Sequence, residues 1–130
     1  MNDDKQQLET FLDAHPDIEV FEVMLPDVCG GLRGKWVTRD KIDKLFAGNF
    51  KLPLSSQAFD VWGRDGEQWV FESGDGDGFC APDVRTLVPV PWAARPTAQI
   101  LNSMNEVDGS PCSYNPRHIV QTLMQRLQSN

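Results

Sequence analysis

The sequence contains no run of apolar residues near the ~20 needed to span a bilayer. It also has no C-x-x-C pair, and its three cysteines, Cys29, Cys80 and Cys112, are far apart. Their spacing fits neither a zinc site nor a thiol-exchange motif, so they read as free thiols in a reducing compartment. Histidine is nearly absent: His15 and His118 lie at opposite ends of the chain, each without a second ligand at metal spacing. Positive charge is in deficit. Twelve Lys and Arg face nineteen Asp and Glu, a net charge of −7, which would repel phosphate backbones and anionic lipid heads. Nucleic acid and membrane surfaces are therefore not expected partners. The start, Met1-Asn2-Asp3-Asp4-Lys5, has neither the basic end nor the apolar block of a signal peptide. A cytoplasmic protein is expected.

What remains is 130 residues of ordinary globular composition, 40% hydrophobic and 24% charged. Leu8, Phe11 and Leu12 recur at helical spacing, and His15-Pro16-Asp17 stops that helix. From Ile18 to Leu25 the chain is apolar on both faces, Ile18, Val20 and Met24 on one and Phe21, Val23 and Leu25 on the other. That pattern predicts a strand interior to a sheet. A turn at 26–31 leads to an antiparallel partner from Leu32 to Thr38. A short helix follows, capped by Thr38 or Asp40, buried through Ile42, Leu45 and Phe46 and closed by Gly48. Phe59–Trp62 and Gln68–Phe71 flank Asp65-Gly66 and predict a second hairpin. Thr86–Val90 and Thr97–Met104 read as strands. Asp108-Gly109 reads as a turn. Asn115 caps a last helix with Pro116 in its first turn and Ile119, Val120, Leu123, Met124 and Leu127 as its apolar stripe. Trp36 and Trp69 are expected in the core. Trp62 and Trp92, near loops, are expected to pack as core, with a ligand-facing role as the alternative.

No self-contained reaction centre emerges. Asp75, Asp77 and Asp83 lie in or near a Gly–Asp loop, but position twelve from Asp75 is Thr86, so the EF-hand pattern fails and a solvated turn is expected. The phosphate-loop spacing G-x-x-x-x-G-K-[ST] is absent. Ser55-Ser56 lacks a nucleophile elbow and a nearby histidine. The fold expected from the element order is α+β: a hairpin, a helix lying across, and a mixed sheet, the β-grasp (ubiquitin-like roll) arrangement.

Several landmarks then occur in a specific order. Asp27, then Gly31-Leu32-Arg33-Gly34-Lys35, looks like D-x-x-G-x-x-R-G-K. Leu54-Ser55-Ser56 stands where G-S-S would. Asp77, Pro82-Asp83, Thr86 and Pro91-Trp92 follow D-x-x-x-x-P-D-x-x-T … P-W, and Asp108-Gly109 with Asn115-Pro116-Arg117 follows D-G … D-P-R. Together these resemble the glutamine synthetase family across residues ~18–128, and the branch that joins glutamate to amines more than the ammonia-using enzymes. The resemblance implies a β-grasp domain over residues 1–112 and, over 113–130, the first helix of a catalytic domain that the sequence does not include. It implies no catalytic residue and no metal ligand in this stretch; ATP and Mg or Mn would belong to a full-length parent. In the family, ATP phosphorylates the glutamate γ-carboxylate and an amine or ammonia displaces the phosphate. Partners implied are the protein's own catalytic domain and neighbouring subunits of a ring homo-oligomer, to whose active site this domain lends a loop, here Leu52 to Trp62.

Pro53 stands where the ammonia-using enzymes carry an aspartate. Proline neither attracts ammonium nor takes its proton, so an organic amine is the expected substrate, unless Asp60 has taken over the role. Pro53, Ser55, Ser56, Phe59, Asp60 and Trp62 are thus the expected amine-loop residues. Arg117 keeps the last position of D-P-R, while Asn115 replaces its aspartate and preserves a helix cap. Two other readings compete: a free-standing β-grasp interaction module, and a small acidic enzyme with an unrecognised carboxylate site. The last helix separates the ligase domain from the free-standing module, since in a free-standing module its stripe must fold back on the sheet, whereas in the ligase it belongs to the next domain. The ending Gln128-Ser129-Asn130 reads as a truncation.

Overall fold

The computed structural model describes residues 2–129, without the side chains of Asn2, Trp69 and Ser73. Helix α1 (Asn2–Ala14) leads into strand β1 (Val20–Pro26), a turn, and β2 (Leu32–Thr38). Two short turns of helix, Arg39–Lys41 and α2 (Asp43–Phe46), precede β3 (Lys51–Pro53) and a 3-10 turn, Leu54–Gln57. Helix α3 (Glu67–Ser73), β4 (Asp77–Pro82), a 3-10 turn (Val84–Thr86), β5 (Val88–Pro89), β6 (Thr97–Asn105) and α4 (Pro116–Gln128) complete the order. The sheet runs β2-β1-β6-β4-β3, with β5 on β6. It is mixed: β1 and β6 are parallel, Phe21 opposite Ala98, and the other pairings are antiparallel.

β1 is interior, as its two-faced apolar pattern requires. Phe21, Val23 and Leu25 are completely buried on the core face, while Met24 on the opposite face is half-exposed. Leu8 of α1, Ile42 and Leu45 of the α2 segment, Leu52, Ile100 and Met104 close over the same core. Each large side chain fully buried in this way contributes roughly 1.5–3 kcal/mol. At the core end of β6, Asn102 is buried where β1 stops pairing, and its Nδ2 donates to the Met24 carbonyl at 3.2 Å. Arg39 reaches back to the C-terminus of α1 and donates to the carbonyls of Leu12, His15 and Ile18. It fills the place of the basic residue that α1's own last turn lacks.

Four expectations are corrected. The 59–71 hairpin does not form. Asp60 folds residues 60–64 into a tight turn, leaving no extended partner, and Glu67–Ser73 becomes α3, stopped by Gly74 at φ +72. Thr86–Val90 is a 3-10 turn followed by the two-residue strand β5, because Asp83 caps Val84–Thr86. Trp36 is 70% exposed rather than core, since it lies on the outer face of edge strand β2 opposite Glu22. Trp62 and Trp92 are likewise exposed. The expectation for Trp69 lies outside the described side chains, and Asn130 of the expected 113–130 segment outside the described residues.

Gly34 marks the closest approach in the hairpin: a Cβ there would stand 1.8 Å from the Val23 carbonyl oxygen. Gly34→Ala should therefore separate β2 from β1 and cost about 3 kcal/mol or more. Denaturant melts of the two proteins check this; an unchanged midpoint would contradict the register described.

Candidate functional site

The expected amine loop begins where β3 ends. Pro53 closes β3 and starts the 3-10 turn, whose first N–H, from Leu54, donates to the Gly76 carbonyl at 3.0 Å. Ser55 is buried, Ser56 half-buried, Phe59 and Asp60 partly exposed and Trp62 77% exposed. The loop therefore graduates from a fixed root to an open tip. Ser55 and Ser56 sit on the root, and Trp62 at the tip.

The β1–β2 turn holds the middle of the loop. Asp27 is 1% exposed, and its carboxylate accepts from the N–H groups of Cys29 and Gly31 at 2.9 and 2.8 Å and from Arg33 Nε at 3.0 Å. Burial pushes its pKa up, but the hydrogen bonds from Arg33, Gly31 and Cys29 and the guanidinium charge outweigh it, so the net pKa lies below the usual 3.8. The same Arg33 guanidinium lies over the Phe59 ring, 5.2 Å from its centroid. Val28 N–H donates to the Gln57 carbonyl at 2.8 Å, and the Cys29 thiol to the Phe59 carbonyl at 3.4 Å.

Asp60 is committed within its own turn. Its carboxylate accepts from the N–H groups of Trp62 and Arg64 and from Arg64 Nε, at 2.8, 2.9 and 3.0 Å. The backbone bond from Arg64 leads the causes that hold it below the usual carboxylate range. A cavity of about 480 Å³ opens beside it, lined by Phe59, Asp60, Gly63, Arg64, Asp65 and Glu67. Its rim carries three carboxylates, Asp60, Asp65 and Glu67, against one base, Arg64, with Phe59 as the apolar wall.

The root of the loop is tied to the last helix through the interior. Gln57 is completely buried, and its Nε2 donates to the Leu54 carbonyl and to Cys112 Sγ at 3.5 and 3.4 Å. Its Oε1 accepts from Asn115 Nδ2 at 2.7 Å. Asn115, also completely buried, accepts from the His118 N–H at 3.0 Å, the expected cap of α4. Arg117 donates to Asp83, which also binds Arg85. The Arg85 hydrogen bond chiefly keeps Asp83 below its ordinary pKa. Asp83, Asp75 and Asp77 do not assemble into a cation cage, and no cluster of three His, Cys, Asp or Glu residues able to hold a metal occurs among the described residues. Cys80 is buried, which pushes its thiol up to about 12, so it stays protonated and unreactive.

Sequence reasoning missed Gln57 and the full role of Asp27. A lone glutamine after two serines carries no periodic signal. Asp27 was visible as a motif position, and a turn aspartate before two glycines does indicate backbone capping. Its bond to Arg33 and the stacking of Arg33 on Phe59 become visible only when the turn and the loop meet.

The fold defined here is a mixed α+β domain with a hairpin edge and a C-terminal helix. In structure it matches GmaS in a complex with ADP at a TM-score of 0.72, with 18% identity over 92% of this chain and 25% of that one. GmaS without ligand matches at 0.68, with 19% identity over 88% of this chain and 24% of that one. In sequence the chain is 32% identical to the gamma-glutamylputrescine synthetase PuuA of Escherichia coli (strain K12), over 95% of its length. The resemblance to the glutamine synthetase family read from the ordered motifs is thereby borne out. The chain spans about a quarter of the length of that curated relative. No family model matches.

Asp27 supplies a test of the turn. Its lowered pKa contributes stability that is fully present above the unfolded value of 3.8 and is lost as pH falls through the lower folded value. Asp27→Asn should cost about 1–3 kcal/mol at pH 7, and the gap to the parent should close as pH drops below 3.8. Urea melts at pH 7 and pH 3 measure both; a gap that widens in acid would contradict the assignment.

Proposed function

We propose that this chain is the N-terminal, β-grasp-type domain of an ATP-dependent ligase that joins glutamate to an amine, and is not catalytic alone. In this reading residues 113–130 carry the first helix of the catalytic domain. The observation that supports it is the apolar stripe of α4. Ile119, Val120, Leu123, Met124 and Leu127 are all more than half exposed. A free-standing module would fold this stripe onto its sheet; here it points away from the core, as a helix does when its packing partner belongs to another domain. The likeness to PuuA over 95% of this chain but only 26% of the relative supports the same division.

The loop from Leu52 to Trp62 is the part offered to a neighbouring subunit in a cytoplasmic ring homo-oligomer. Pro53 removes the charge that would favour free ammonium. Phe59 and Trp62 give the loop apolar surface for the methylenes of an organic amine, each buried CH₂ contributing about 0.8 kcal/mol. Asp60 meets the ammonium end of a diamine only by sharing its carboxylate with Arg64, and its depressed pKa keeps it charged for that purpose. Ser55 and Ser56 stand at the loop's root. ATP and Mg or Mn belong to the catalytic half; no step of phosphoryl transfer is assigned to residues here.

The 130-residue chain with ATP, magnesium, glutamate and an alkyl amine should release no phosphate above background. Joined to the catalytic half of its parent enzyme, it should support amine-dependent release. In that enzyme Trp62→Ala should lower kcat/KM for an alkyl diamine about tenfold, and Pro53→Asp should move preference toward ammonia by a similar factor. An enzyme that already prefers ammonia and is indifferent to both changes would remove this loop as the amine selector.

A further inference from the structure

The root of the loop and the cap of α4 meet in one buried pair of carboxamides, 58 residues apart in sequence. In the arrangement the structure adopts, each amide's donor and acceptor has a partner. Gln57 must direct Nε2 toward the Leu54 carbonyl and Cys112, so only its Oε1 faces Asn115. Asn115 must direct Oδ1 toward the His118 N–H, so its Nδ2 faces Gln57. Only a residue that accepts at the helix and donates to the loop fits position 115. Ionised aspartate does the first and not the second. If Gln57 flipped to donate to a carboxylate, its Oε1 would face the Leu54 carbonyl, acceptor against acceptor, with only the weak Cys112 S–H left to donate to it.

We propose that the Gln57–Asn115 pair positions the amine loop against α4, and that asparagine stands in place of the D-P-R aspartate because Gln57 demands a donor. Both are positioning residues. The helix cap is one half of Asn115's work; the other is to hold the 3-10 turn Leu54–Gln57, whose Gln57 carbonyl in turn receives Val28 N–H from the β1–β2 turn. A movement of α4 is thereby transmitted to the loop that carries Phe59. The consequence for amine selection rests on the ligase reading above; the positioning itself does not, and its test uses no activity.

Ionisable groups around the pair are Cys112 beside Gln57, Tyr114 with its hydrogen bond to Cys112, His118 at the cap, the Arg117–Asp83 pair in α4's first turn, and the Asp27–Arg33 pair across Val28. Every comparison is therefore made between variant and parent at the same pH. Asn115→Asp separates capping from positioning by sign. As a cap, the ionised carboxylate improves on asparagine at a helix N-terminus. As a loop anchor it fails when ionised and recovers when protonated, because the carboxyl O–H then donates to Gln57 Oε1.

The experiment is amide hydrogen exchange by NMR on the 130-residue chain at pH 4 and pH 7, read at Val28 and Ala58 for the loop root and at His118 and Ile119 for the helix. At pH 7, Asn115→Asp should lower protection at Val28 and Ala58 about tenfold, and the loss should be smaller at pH 4, where a larger fraction of the carboxyl is protonated. Asn115→Ser, which caps α4 but is too short to reach Gln57, should lower loop protection to a similar degree at both pH values. Should Asn115→Asp not fold, the serine variant decides. Loop protection at the parent level in Asn115→Ser, or an Asn115→Asp protein that changes only at His118 and Ile119, would overturn the proposal. Such a failure would leave the ligase reading standing, and loss of the ligase reading would leave these exchange rates unchanged.

Discussion

The buried carboxylate of Asp27 is the constraint around which the β1–β2 turn and the loop beside it are arranged. A carboxylate removed from water must be compensated by nearby donors and charge, and here two backbone N–H groups and one guanidinium do so. Those same bonds fold the β1–β2 turn. Having turned, the chain presents Val28 N–H and the Cys29 thiol to the 54–60 loop, and holds the Arg33 guanidinium over the Phe59 ring. One buried charge thus sets the hairpin end, the orientation of an arginine and the path of a loop more than twenty residues away. The loop gains a fixed root without belonging to any sheet, and its tip stays open.

This explains a feature of the motifs. Asp27, Arg33 and Gly34 are occupied with backbone geometry, and Asp83 and Arg117 with each other. None of them faces the cavity beside Asp60. The ordered landmarks that identify the fold are therefore mostly the residues that build it. The positions that differ, Pro53 and Asn115, lie at the two ends of the loop's support, one where the loop leaves β3 and the other where its root meets α4.

Elements governed by local chemistry were legible in the sequence. The Leu8–Phe11–Leu12 spacing, the apolar run from Ile18, and Asn115-Pro116 each state their structure within a few residues, and the structure has all three. The 59–71 region misled because alternating aromatic residues around Asp-Gly satisfy the hairpin pattern, whereas Asp60 diverts its half of the pair into a side-chain-capped turn. Trp36 misled for another reason: alternation in an edge strand shows that one face is apolar, not whether anything covers it. Long-range polar bonds, Arg39 to the end of α1 and Gln57 to Asn115, leave no periodic trace at all.

In the proposed ligase reading, the exposed α4 stripe is the face that a catalytic domain would cover. Thiol-labelling rates test it most directly. Leu123, 56% exposed, is replaced by cysteine in a background where Cys29, the exposed native cysteine, is serine. The isolated chain should label at a rate close to that of a free thiol, and the same chain joined to its catalytic half should label at least ~100-fold more slowly, as a side chain in a packed interior does. Equal labelling in the two proteins would mean that nothing covers the stripe, and would contradict the account.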